Sequence, residues 1–172
     1  MEPRLVRRRR TPVLFVAAMG LVACGGGGDD VTSPPIGPDA YVLVLDEFLP
    51  EPPTDPDAER PVVYVAHLGD EIFSLDDQVA MIDAVAETHD LRFVDDADAA
   101  VDDREDSAPP RDDGLLLGIG TITATPPHLV RVEVYNEADA VEAHLLTLTE
   151  RAGTWRVETS EPVDPEGLVS DG

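Results

Sequence analysis

Four segments with strand character follow one another between residues 115 and 159, and no other feature of the chain limits its fold as much. Residues 115–123 are continuous and apolar, with Gly118 and Gly120 permitting a bulge or close packing. Residues 129–135 alternate, setting Val130, Val132 and Val134 opposite Leu129, Arg131, Glu133 and Tyr135. Residues 143–150 alternate as well. Ala152 and Gly153 make a turn into residues 154–159, where Trp155 and Val157 share a face. Successive strands joined by short links pair with their neighbours, so this stretch predicts an antiparallel meander.

Helical signals come earlier in the chain. Residues 62–66 form a β-branched run bounded by Pro61 and Gly69, which reads as a buried strand. Ser74 can then cap the amide of Asp77, and acids fill the first turn. Leu75, Val79, Ile82, Val85 and Ala86 make one apolar stripe, predicting a helix over 75–88 that packs by that stripe. Arg92-Phe93-Val94 reads as a short strand. Residues 39–49 admit two readings. Val42 and Val44 suit a strand, whereas Asp39 as N-cap with Tyr41, Leu45, Phe48 and Leu49 on one face suits a helix ending before Pro50. The balance favours the helix. Residues 50–61 and 95–113 are acidic, proline-containing loops. The expected class is α+β: an antiparallel β-meander sheet of about five or six strands with one or two helices packed on one face.

The ending of this pattern is a tyrosine strand, an apolar alternating strand and then Gly153-Thr154-Trp155-Arg156-Val157. It resembles the last strands of small secreted domains with a cystatin-like or NTF2-like curved sheet, over residues 115–159. The resemblance implies such a sheet and, for the NTF2-like case, a cone-shaped pocket. The chain departs from that pattern where a strand lies between its two helical segments.

The first residues carry an address. Arg4 and Arg7, Arg8, Arg9 and Arg10 precede a short apolar run from Val13 to Met19, and small residues follow. The apolar run ending at Ala23 is too short to span a bilayer, which takes about 20 residues. Leu21-Val22-Ala23-Cys24 resembles the lipobox of bacterial lipoproteins. That resemblance implies cleavage between Ala23 and Cys24 and a diacylglyceryl thioether on Cys24, the chain's only cysteine. It also implies a palmitate-type acyl anchor that holds an exported domain at the cell envelope. Each buried methylene contributes about 0.8 kcal/mol, so two or three acyl chains anchor stably. The expected order is a signal peptide at 1–23, a lipidated flexible tether at 24–38 opening with Gly25–Gly28, a single domain at 39–161 and an acidic disordered tail at 162–172.

Lysine is absent, and the full chain carries a net charge of -24. Residues 1–23 hold five arginines and one glutamate, so their removal takes the net charge from -24 to -28. Such a field repels nucleic acid and anionic headgroups. The membrane is therefore reached through the lipid on Cys24. Solvation explains the acidity simply; a divalent cation or a cationic partner is the functional alternative.

Candidate chemistry is sparse. His67, His89, His128 and His144 lack zinc spacing. His67 and Asp70 fall in the turn after the first strand. Asp95, Asp96 and Asp98 open the densest acid cluster and are weak candidates for calcium, since the EF-hand template fails there. Asp46-Glu47 and Asp70-Glu71 are acid pairs of a kind that 36 acids produce by chance. Trp155 and Tyr135 suit either a binding platform or a core. No catalytic residue and no cofactor is assigned. The expected function is an envelope lipoprotein acting as a binding or interaction module without catalysis, for a protein or small-molecule partner. The alternatives are a hydrolase using carboxylate and histidine chemistry, or a calcium-binding surface domain.

Overall fold

A computed structural model describes residues 36–55, 57–101, 109–137 and 140–166. Cys24, Ala23 and the signal and tether segments up to residue 35 lie outside the described residues, as do residues 102–108 of the acidic loop.

The first helix, α1 (Pro38–Phe48), begins with Pro38 at its first turn, where a missing N–H costs nothing. Asp39 lies in that turn and Gly37 takes the cap position. The helix buries Ala40, Tyr41, Val44 and Leu45 and stops short of Pro50, so residues 39–49 resolve as helix. Strand β1 (Val62–His67) follows and is buried along most of its length. Ser74 caps α2 (Leu75–Val85) through the amide of Asp77 at 3.2 Å. Strand β2 (Asp90–Phe93) comes next. Then come β3 (Leu115–Ile119), β4 (His128–Glu137), β5 (Ala140–Arg151) and β6 (Thr154–Val163).

The six strands form one sheet in the order β2-β1-β3-β4-β5-β6. The class is α+β, but the sheet is mixed rather than an antiparallel meander. β3 to β6 pair antiparallel as consecutive hairpins and links. β1 pairs parallel with both β2 and β3. The reason lies in the connections. A helix between β1 and β2 returns the chain to the end where β1 began, so β2 must run in the same direction. The chain then travels back past β1 to reach β3. Right-handed crossovers in opposite directions require opposite faces. Accordingly α2 covers one face, while a 3-10 turn at Ala97–Ala100 covers the other.

Two cores result. On the helical face, Val63, Val65, Leu117, Ile119, Val130, Val132, Leu146 and Leu148 meet α1 and α2. Each fully buried aliphatic side chain there contributes about 1.5–3 kcal/mol. On the second face, Tyr64, Ala66, Leu116 and Tyr135 meet Ala97, Ala100 and Val101, so the 95–113 segment is partly core rather than wholly surface loop. Gly114 marks a tight approach: a Cβ there would stand 2.9 Å from the Val62 carbonyl oxygen. Ala152 and Gly153 both take positive φ, 53° and 76°, as a tight hairpin between right-twisted strands demands. Strand β6 runs beyond residue 161 to Val163, and the Glu166 N–H is hydrogen-bonded to Glu133.

Helix α2 differs from its expected orientation. Met81 and Val85 face the core, whereas Leu75 is 74% exposed, Val79 48% and Ile82 40%. The predicted stripe is therefore split, with Val85 inside and the other large residues outside.

Candidate functional site

The order β2-β1-β3 reverses the direction of travel at β1, and ligands of open sheets favour the carboxyl ends of strands at such a switch. The carboxyl ends of β1 and β3 carry His67 and, just past Ile119, Thr121. His67 Nε2 lies 3.4 Å from Thr121 Oγ1, and that hydroxyl donates to Glu71 Oε2. The hydroxyl has one proton, given to Glu71. Its oxygen can then receive only the Nε2–H of His67, which assigns the imidazole tautomer. His67 Nδ1 is buried without a hydrogen-bond partner among the described residues, and a bare lone pair costs less there than an orphaned N–H. Phe73 holds the ring edge-on at 4.9 Å and in turn packs on Tyr41 and Phe93. Burial raises the Tyr41 phenol above its usual value, partly offset by the Ile122 N–H that it accepts.

Chemically this is a short relay, His67 to Thr121 to Glu71. Two backbone donors beside it are already used: Leu68 N–H binds the Ile119 carbonyl and Gly120 N–H binds that of Arg131. Asp70 is exposed and makes no contact in the relay. Sequence reading found His67 but not Thr121, which stands 54 residues away and carries no local signal.

The acidic candidates behave differently. Asp96 caps the 3-10 turn, accepting from the Asp98 N–H at 3.0 Å, so its carboxylate is used structurally. Among the described residues no three histidine, cysteine or carboxylate groups converge as a metal site. His89 is buried and bridges Thr88 Oγ1 and the Pro50 carbonyl, each at 2.9 Å, a structural role joining α2 to the 50–61 loop. His144 packs against Phe48 at 5.3 Å.

At the opposite, amino end of the parallel strands, Arg92 gathers Asp90 (2.7 Å) and Asp112 (2.6 Å). The Tyr64 hydroxyl donates to Asp112 Oδ2 at 2.9 Å. The Tyr64 and Arg92 hydrogen bonds hold the Asp112 carboxyl below its usual range, and burial with the adjacent Asp112 raises Tyr64. Arg92 is raised, first by Asp90. The network fixes Asp112, a residue at φ 59°, ahead of β3.

Trp155 and Tyr135 stand on opposite faces of the sheet, so they cannot form one platform. Tyr135 is core. Trp155 lines an open groove with the outward row of α1, Asp39, Val42, Leu43 and Asp46.

Among the described residues the large exposed apolar side chains are those on the outer flank of α2, continued by Ile72 at 78% exposure. Ala84, half a helical circumference from the Leu75–Val79 row, borders the groove beside α1. The exposed row therefore lies on the side of α2 away from α1, where the sheet ends at β2. Asp76 and Asp83 border it on α2, which holds no cation, and Arg60 meets the Ala86 carbonyl at the helix's C-terminal end.

The chain matches no protein-family model, no curated protein and no solved structure.

Proposed function

We propose that this chain is a lipid-anchored envelope protein whose folded domain is a binding module for a cationic, apolar-faced segment of a partner protein. The anchor rests on Leu21-Val22-Ala23-Cys24 and its arginine-led apolar run. The observation that carries the binding role is the row Ile72, Leu75, Val79 and Ile82 left in solvent on α2. Contiguous apolar surface with a polar rim marks interaction sites on soluble domains. The charged residues of α2 itself are all carboxylates, with Asp76 and Asp83 beside the row and Arg60 held at the helix's C-terminal end by the Ala86 carbonyl. A second copy of this face therefore brings like charge along most of the row, while a helix with Lys or Arg beside its apolar row complements the carboxylates.

The test is titration of the full chain with a model amphipathic Leu/Lys helix and with its scrambled sequence of equal charge. The ordered helix binds more tightly, and the combined Leu75→Ser and Val79→Ser substitutions remove the difference. Equal binding of both peptides would sink the reading. The anchor has its own test: Cys24→Ser ends acyl labelling and releases the protein from membranes, and continued labelling would refute it.

A second reading rests on the His67–Thr121–Glu71 relay, with Glu71 as general base to the Thr121 hydroxyl in a hydrolase. The amides of Leu68 and Gly120 beside it are committed to other carbonyls, which removes those two as oxyanion donors. Turnover of an ester or glycoside that Thr121→Ala abolishes would establish it instead.

A further inference from the structure

The groove beside Trp155 lies on the other side of α2 from the docking row, and its chemistry is distinct. Its volume is about 430 Å³, within the range of small-molecule pockets. Asp39, Val42, Leu43 and Asp46 recur at intervals of three and four, so they form one row along α1. Ala40, Tyr41, Val44 and Leu45 occupy the buried side of the same helix, which fixes that row outward. Val42 and Leu43 are half-buried at the middle of the groove, with Val85 of α2 and Trp155 of the β5–β6 hairpin as further apolar wall. The tight turn at Ala152-Gly153 sets the hairpin tip beside α1. The Trp155 ring is steadied by a T-shaped contact with His128 at 5.0 Å, and His128 Nδ1–H is itself tied to the Thr123 carbonyl at 2.8 Å.

Charge is placed at the two ends of this wall. Asp39 and Asp46 are exposed, and neither has an ion-pair partner among the described residues. They stand seven positions apart on the helix, about 10 Å along the axis. No arginine lines the groove. An apolar floor with a carboxylate at each end and an aromatic wall repels anions and favours cationic ends over neutral ones, whose hydrogen bonds to a carboxylate lack the ion-pair attraction. We infer that the groove binds an extended aliphatic dication: a linear diamine or polyamine whose methylenes lie on Val42, Leu43 and Trp155 and whose ammonium groups meet Asp39 and Asp46. The aromatic face adds attraction for the ammonium nearer to it.

Trp155 is the only tryptophan in the chain, so its emission reports this groove alone. The experiment titrates the full chain with 1,8-diaminooctane, octylamine and 1,8-octanediol at fixed ionic strength and follows Trp155 fluorescence. Saturable change is expected, with affinity in the order diamine, monoamine, diol. Asp39→Asn and Asp46→Asn each weaken the diamine by about two- to fivefold, the scale of an exposed ion pair. Together they bring diamine and monoamine level. Glu158→Gln, an exposed carboxylate on β6 outside the groove, leaves the diamine affinity unchanged and separates site binding from general attraction to an acidic protein. Equal affinity for diol and diamine, or a loss with Glu158→Gln as large as with Asp46→Asn, overturns the proposal. Either result leaves the docking row of α2 untouched, because that face carries no tryptophan and is read by peptide binding.

Discussion

Arg131 stands two residues from Glu133 on the same face of β4, and its Nε lies 3.0 Å from Oε1 of a carboxylate that solvent does not reach. The Glu166 N–H donates to the same oxygen at 2.7 Å, and the Arg131 guanidinium also reaches the Asp164 carbonyl. Glu133 Oε2 has no hydrogen-bond partner among the described residues. A buried carboxylate with one cation depends on that cation. Arg131→Met is therefore expected to destabilise the fold by about 3–5 kcal/mol, while Arg131→Met with Glu133→Leu recovers much of the loss. Urea denaturation of the two single variants and the double variant checks this. Additive losses would show that the pair does not act as a unit.

The orientation of α2 gives a second prediction. Leu75→Ser and Val79→Ser, at solvent-facing positions, should each change stability by no more than about 0.5 kcal/mol. Met81→Ala, at a wholly buried position, should cost about 2–5 kcal/mol. Thermal unfolding separates the two classes. A large loss at Leu75 would mean that the helix packs by the other stripe.

Acid sensitivity follows from Asp112. Its folded pKa is lowered from 3.8 by the Tyr64 and Arg92 hydrogen bonds. A lowered carboxyl contributes stability above its unfolded pKa and loses it as pH falls through the folded one. Asp112→Asn should thus flatten the fall in melting temperature below about pH 4, with a small effect because the group is exposed. Unchanged acid limbs in the variant and the parent chain would remove Asp112 from the explanation.

The β5–β6 turn invites improvement. Ala152 sits at φ 53°, which strains an L-residue and which asparagine tolerates better. Ala152→Asn creates Asn-Gly, the preferred pair for a two-residue hairpin, and should stabilise by about 0.5–1 kcal/mol. A fall in melting temperature would argue against the left-handed turn.

The legible parts of this fold are those encoded locally. Ser74 with Asp77 announces the start of α2, alternation from Leu129 to Tyr135 announces β4, and Ala152-Gly153 announces the last hairpin. Parallel pairing was not legible, because β2 is four residues long and its partner Val62–Val65 lies across a helix. Nor could periodicity orient α2. Apolar residues cover a wide arc of it, and only the position of the sheet decides that Met81 and Val85 go inward while Leu75 and Ile82 do not. The relay of His67, Glu71 and Thr121 joins residues 50 or more apart through two strand ends, which no spacing rule reveals. The pairing of Arg131 with Glu133 left a trace, since alternation put both on one face, but not that the face is covered there.

The binding role proposed for α2 is tested most directly by placing a photo-crosslinking residue at Val79 in the full chain, expressed in living cells, with Glu158 as the control position. Irradiation should trap a discrete adduct with a basic protein from position 79 and none from 158, and Leu75→Ser should abolish it. No adduct at 79, or the same adduct from both positions, would contradict a docking face on α2.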